Sequence, residues 1–214
     1  MDRRSSEGSL RAGGFSLVEL MTVIAILSLL LGLSALSVRG SLDNYRLSAT
    51  AAQLQADLSY ASQRASRDNA SVYFRFYRDA KGSADGGESY LDAYQMLRLD
   101  QETGNMVPLG NVKYFDAEII VFPDPEFSNL LERGLSAAGE SDPAIPAAAG
   151  MGELTTKDYE FCEIRLKPDG STSLQTDRAW AITLALKRTA GEADPPNESR
   201  VLTINSTTSS VRIY

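Results

Sequence analysis

Glu19 is the residue whose chemistry most needs explaining. It is the only charge in the run from Phe15 to Val38, FSLVELMTVIAILSLLLGLSALSV. A carboxylate in such apolar surroundings costs several kcal/mol unless a cation meets it. Other reactive groups are scarce. The chain has no histidine, which removes the commonest general base and the commonest metal ligand together. Its one cysteine, Cys162, lies close to Phe161 and Ile164 and reads as a small buried hydrophobe rather than a nucleophile; alone, it can close no intramolecular disulfide. No Ser-x-x-Lys motif is present. The acids Asp124, Glu126, Glu140 and Asp142 lack the dense alternation of a calcium loop and read as solvated loop residues. The glycines from Gly82 to Gly87 are not followed by Lys-Ser or Lys-Thr, so they mark a hairpin loop and not a phosphate cradle. No catalytic residue, metal or cofactor is expected, and the chain reads as a non-enzyme.

The elements that must position Glu19 follow from hydropathy. The 24 residues from 15 to 38 are long enough to cross a hydrocarbon core of about 30 Å as a helix. Before them, residues 1–14 carry Arg3, Arg4 and Arg11 against Asp2 and Glu7, a basic excess that assigns this end to the cytoplasm and the body of the protein to the far side of the membrane. That leader accounts for +1 of a total formal charge of -7, so the remainder carries -8 on its side chains. A chain this acidic is not drawn to nucleic acid as a whole. From residue 39 to 69 the stripe Leu47, Ala51, Leu54, Leu58, Ala61 and Ala65 recurs at three- and four-residue spacing. The opposite face carries Arg46, Gln53, Gln55, Asp57, Gln63 and Arg64, which predicts a helix lying half-buried on a sheet and ending near Asp68-Asn69.

From residue 70 to 214 the period changes to two. Candidate strands start at Val72 (VYFRFYRD), Tyr90 (YLDAYQMLRLD), Val112 (VKYFDAEIIVF), Phe161 (FCEIRLKPDG), Ala179 (AWAITLALKR), Arg200 (RVLTINS) and Ser210 (SVRIY). Turn chemistry separates them at Gly82 to Gly87, Glu102 to Asn105, Lys167 to Gly170 and Asp194 to Asn197. The stretch Pro123 to Leu154 shows no clear period and reads as a long surface excursion, with a short helix near Glu126 to Arg133. The fold class is α+β: a long N-terminal helix, membrane-spanning in its first half and amphipathic in its second, packed on a mainly antiparallel β-sheet head.

Gly14-Phe15-Ser16-Leu17-Val18-Glu19 sets a glycine and a carboxylate at the start of an apolar run, where an ordinary secretory signal carries its small-residue cleavage site at the end. Such a site is available at Ala35-Leu36-Ser37, and a plain signal anchor is the other alternative. The N-terminal motif resembles the type IV prepilin family. The order of elements beyond it is similar to the H-type minor pseudopilins of type II secretion and, more loosely, to the H-like pilins of a verrucomicrobial gene cassette. The resemblance implies cleavage by prepilin peptidase after Gly14, N-methylation of Phe15, and assembly through Phe15 and Glu19, with Glu19 meeting the N-terminal amine of a neighbouring subunit. Other pilins or pseudopilins, the peptidase, an inner-membrane assembly platform and the membrane itself are the partners it implies. It places the protein in the inner membrane as a single-pass chain, its head in the periplasm or in an extracellular filament. Relatives often carry a Gly-Arg turn before the last strand; Thr208-Ser209-Ser210 stands there in this chain. Two alternatives stay open: a DNA-binding minor pilin, for which Arg200, Arg212, Lys187 and Arg188 would have to gather on one face, and a membrane-anchored binding domain that never polymerises.

Overall fold

The computed structural model describes residues 16–79, 90–143, 159–192, 194–195 and 198–214, and leaves out the side chains of residues 31–39. The chain divides into two compact units, Met1–Leu42 and Asp43–Tyr214. Helix α1 (Leu17–Arg67) contributes its first 26 residues to the first unit and the rest to the second.

In the second unit the stripe does what its spacing predicts. Leu47, Ala51, Leu54, Leu58, Ala61 and Ala65 are all at most 1% exposed and share one core cluster with the strands. Fully burying each leucine contributes about 1.5–3 kcal/mol; the alanines let the helix approach closely. The helix stops at a left-handed residue, Asn69 at φ 47°, and the Ala70 N–H reaches back to the Ala65 carbonyl at 3.1 Å. This six-to-one closure satisfies a terminal carbonyl, and asparagine tolerates the left-handed conformation better than most residues.

The strands form two antiparallel sheets. The first has the order β3-β2-β1-β7-β6, with β4 also paired to β2; its strands are β1 (Val72–Asp79), β2 (Ala93–Leu99), β3 (Met106–Pro108), β4 (Lys113–Tyr114), β6 (Ser136–Ala137) and β7 (Tyr159–Leu166). The second has the order β10-β9-β8-β5, from β5 (Ile119–Val121), β8 (Trp180–Leu186), β9 (Arg200–Ile204) and β10 (Val211–Ile213). Period two sends Phe74, Phe76, Cys162 and Ile164 of the first sheet, and Trp180, Ile182, Leu184, Leu202 and Ile204 of the second, into the core shared with the helix stripe. Glycines carry the turns that need positive φ: Gly104 at 72° after β2 and Gly170 at 81° after β7.

The expected α+β architecture is present, its antiparallel strands divided between two sheets. Two finer expectations change. The run from Val112 to Phe122 is not one strand: it breaks at Asp116, whose carbonyl accepts the Ile119 N–H at 2.7 Å and whose side chain accepts the Glu118 N–H at 3.2 Å. That turn sends β4 to one sheet and β5 to the other. The stretch after Pro123 is more than a surface excursion: a 3-10 helix (Asn129–Arg133) buries Leu130, as the expected short helix, and β6 pairs with β7. The loop at Gly82 to Gly87 lies outside the described residues, as does part of that at Asp194 to Asn197.

Candidate functional site

The first unit offers one chemical feature, the start of α1. Ser16 sits at the helix entrance, where its hydroxyl accepts the Val18 N–H at 3.2 Å and its carbonyl accepts the Leu20 N–H at 3.1 Å. Glu19 lies in the first turn, where the helix dipole favours a carboxylate. Around it Leu17, Val18, Leu20, Met21, Val23, Ile24, Ile26, Leu27, Leu29 and Leu30 are all exposed. A helix apolar on every side is normally covered by lipid or by other helices. Among the described residues no helix is long and apolar enough to cross a membrane. The expected processing residues Gly14 and Phe15 lie outside the described residues.

The second unit holds two ionic networks that the sequence pattern did not reveal. Asp57, expected on the solvated face of the helix, is 7% exposed. Its carboxylate accepts hydrogen bonds from Lys113 Nζ at 2.7 and 2.8 Å, the Tyr94 hydroxyl at 2.7 Å and Gln53 Nε2 at 3.0 Å. Burial alone would raise this carboxyl; the hydrogen bonds from Lys113, Gln53 and Tyr94, with the lysine charge, outweigh it and hold the group below the ordinary aspartate value. Asp57 follows Leu54 by three residues, on the flank of the stripe, and only Lys113 and Tyr94 arriving from the sheet decide that it goes in rather than out. Burial and the Asp57 carboxylate together push the Tyr94 hydroxyl well above its usual range.

On the other face of the first sheet, Arg75 is 3% exposed. It donates to Glu163 at 2.7 Å and to Asp142 at 2.5 Å, with its guanidinium carbon 3.9 Å from the centre of the Phe161 ring. Tyr77, Ala93, Tyr159 and Phe161 form a second, smaller core there. The segment carrying Asp142 lies over this face: the Ala138 N–H donates to the Tyr159 carbonyl, and the Tyr159 hydroxyl to the Pro143 carbonyl. Asp142 is therefore a structural counter-ion, and Asp124 accepts the Glu126 N–H at 2.8 Å in a loop turn. No group of three metal-ligating side chains gathers among the described residues. Cys162 is buried, and burial pushes its thiol up to about 12, so it does not supply a thiolate near neutrality.

The four candidate nucleic-acid residues do not form a free basic patch. Arg188 pairs with Asp43 at 2.7 Å and lies 3.9 Å from Glu198, while Arg200 donates to the Glu198 and Ser199 carbonyls and to the Ser48 hydroxyl. Lys187 and Arg212 are exposed, the first in a 3-10 helix after β8 and the second in the middle of β10. Arg212 instead borders a cleft of about 480 Å³ with Thr176, Arg178, Thr203, Asn205 and Tyr214.

Comparison with known proteins bears first on the N-terminus. Residues 10–35 match the prokaryotic N-terminal methylation motif, on the stretch containing Gly14, Phe15 and Glu19. Over 96 residues the chain is 31% identical to type II secretion system protein H of Pseudomonas aeruginosa, a match that covers 45% of this chain and 48% of that protein. The chain thus spans about half the length of the curated relative it matches. A solved structure of the minor pseudopilin EpsH from the type 2 secretion system of Vibrio cholerae aligns over 79% of this chain and 96% of that one, at 11% identity and a TM-score of 0.43. The chain is an α+β protein that carries the prokaryotic N-terminal methylation motif and is similar in sequence to a type II secretion protein H.

Proposed function

We propose that this chain is a structural subunit, a minor pseudopilin of the H type, and not an enzyme. The observation that carries the reading is the methylation motif on residues 10–35, laid over a helix that starts with an acid in its first turn and is apolar on every side. Residues 1–14 act as a leader, removed by a prepilin peptidase after Gly14, and residues 15–38 hold the chain in the inner membrane as a single pass, with the head beyond it. Cleavage leaves an amine on Phe15, which N-methylation keeps charged. In a bundle of such helices the amine of one subunit meets the Glu19 carboxylate of its neighbour. Apolar helices slide past one another with little preference; a charge pair in low dielectric fixes their register, since either charge left alone is costly there. Other pseudopilins and an inner-membrane assembly platform are the partners of this step.

The direct test is the mature N-terminus, read by mass spectrometry of protein expressed with and without a prepilin peptidase. A start at Phe15, carrying one methyl group, is expected only with the peptidase. A start near Val38 would make the protein a secreted one, and an intact leader a plain anchor; either result overturns the proposal.

A further inference from the structure

The outer faces of the two sheets are treated differently, and the difference leaves a cleft. The first sheet's outer face is closed by the chain's own segment through Arg75 and Asp142. Among the described residues the second sheet's outer face is closed toward β5, where the Thr183 hydroxyl donates to the Phe127 carbonyl at 2.5 Å and the Thr183 N–H to the Ser128 hydroxyl. Farther along, Arg212 pairs with Thr203 across β10 and β9, and with the loop before β8 (Thr176 to Ala179) and the turn after β9 (Asn205 to Thr207) they border a hollow of about 480 Å³. Its lining is polar: hydroxyls of Thr176 and Thr203, the Asn205 amide, the Tyr214 ring, and two guanidinium groups, Arg178 and Arg212. Arg178 spends one edge on Glu132 and lies 4.3 Å from the centre of the Trp180 ring. Among the described residues Arg212 has no hydrogen-bond or ion-pair partner for its guanidinium.

The geometry points to this cleft as a receptor for an acidic peptide segment of a partner protein, with a carboxylate seated among Arg178, Arg212 and the threonine hydroxyls. Guanidinium groups bind carboxylates through paired N–H donors, and neighbouring hydroxyls supply the remaining donors. A nucleic-acid strand is the poorer fit. It needs a track of cations spaced along its backbone, whereas the lining offers a single pair of guanidinium groups, Arg178 and Arg212, suited to one or two carboxylates. The inference concerns the head alone and does not depend on how the N-terminus is processed.

Trp180 is the single tryptophan and touches Arg178, so the protein carries its own reporter. Full-length protein in a zwitterionic detergent is titrated with the fluorescein-labelled peptide Glu-Gly-Glu, following peptide anisotropy for affinity and Trp180 emission for location. We expect saturable binding with a change in Trp180 emission, weakened by at least about fivefold in Arg212→Gln and in Arg178→Gln, weakened by salt, unchanged in Lys187→Gln, and absent for Gln-Gly-Gln. Thermal unfolding by circular dichroism verifies that each variant is folded. Absent binding, binding indifferent to both arginine substitutions, or a single-stranded oligonucleotide that binds through Arg212 where the peptide does not, overturns the inference.

Discussion

Residues 17–30 and residues 43–67 belong to one helix and obey the same hydrogen-bonding rule, yet they solve the problem of burial in opposite ways. The first stretch is apolar on every side, every side chain in it is exposed, and its single charge is Glu19. The second is apolar on one stripe, which the head covers completely, and its buried charge, Asp57, is met by a lysine, a tyrosine and a glutamine. Helix formation therefore says little about where stability comes from. The second stretch is completed within its own unit, while the first leaves its apolar side chains exposed among the described residues.

That contrast is open to attack by substitution. The largest effect on head stability is expected from Arg75→Ala, which strands Asp142 and Glu163 beside an apolar cluster. Removing one partner of a buried pair costs about 3–5 kcal/mol, measured by urea unfolding, while Arg75→Met should cost less because it keeps the contact with Phe161. Leu58→Ala should follow at about 2–5 kcal/mol, whereas Ile24→Ala, in the exposed stretch, should leave the head's unfolding midpoint unchanged. A comparable cost for both would erase the distinction between the two halves.

Asp57→Asn should cost about 1–3 kcal/mol, since the buried side chain loses its charge-assisted hydrogen bonds from Lys113 and Tyr94. The sign of the pH effect is fixed by the direction of the shift. Because the folded carboxyl lies below its unfolded value, its contribution is fully present above the ordinary aspartate range and is lost as the pH falls through the folded value. The wild-type head should thus lose stability on acidification more steeply than Asp57→Asn, as unfolding midpoints measured down the acid limb will show. Asn69→Val, which places a β-branched residue at positive φ, should cost about 1 kcal/mol. Smallest of all for head stability is Glu19→Gln, with no expected change in the unfolding midpoint, although it should abolish incorporation into a filament. Normal incorporation would favour an anchored domain that never polymerises.

Much of the architecture is legible in local sequence because it is set by local period. The stripe from Leu47 to Ala65 repeats at helical spacing, and β1 begins and ends where alternation begins and ends. What alternation cannot show is whether the second face of a sheet meets water or protein. Arg75, flanked by Phe74 and Phe76, has the pattern of a solvent-facing residue, and Asp142 closes over it from 67 residues away. Asp57 escapes notice for the same reason, its lysine lying 56 residues on. The break at Asp116 had a local signal, an acid opening an Asx-type turn, hidden inside an otherwise continuous apolar run. For the N-terminal segment the motif is legible because its residues are adjacent in sequence; the neighbour that Glu19 would meet belongs to another molecule, which no single chain encodes.

The pairing of β1 with β7 has a consequence for the order of events in time. These strands form the centre of the first sheet along their full eight-residue length, yet Phe76 and Cys162, which face each other across it, are separated by more than eighty residues. Loop-closure entropy must be overcome before such a contact returns anything, so heads of this topology fold slowly. Until β7 is available, β1 has a neighbour on one side only, and the core under Phe74 and Phe76 lacks Cys162, Ile164 and Leu166. A head emerging from the ribosome in order of sequence would stay pliable through most of its synthesis and lock its shape only when the last third has followed.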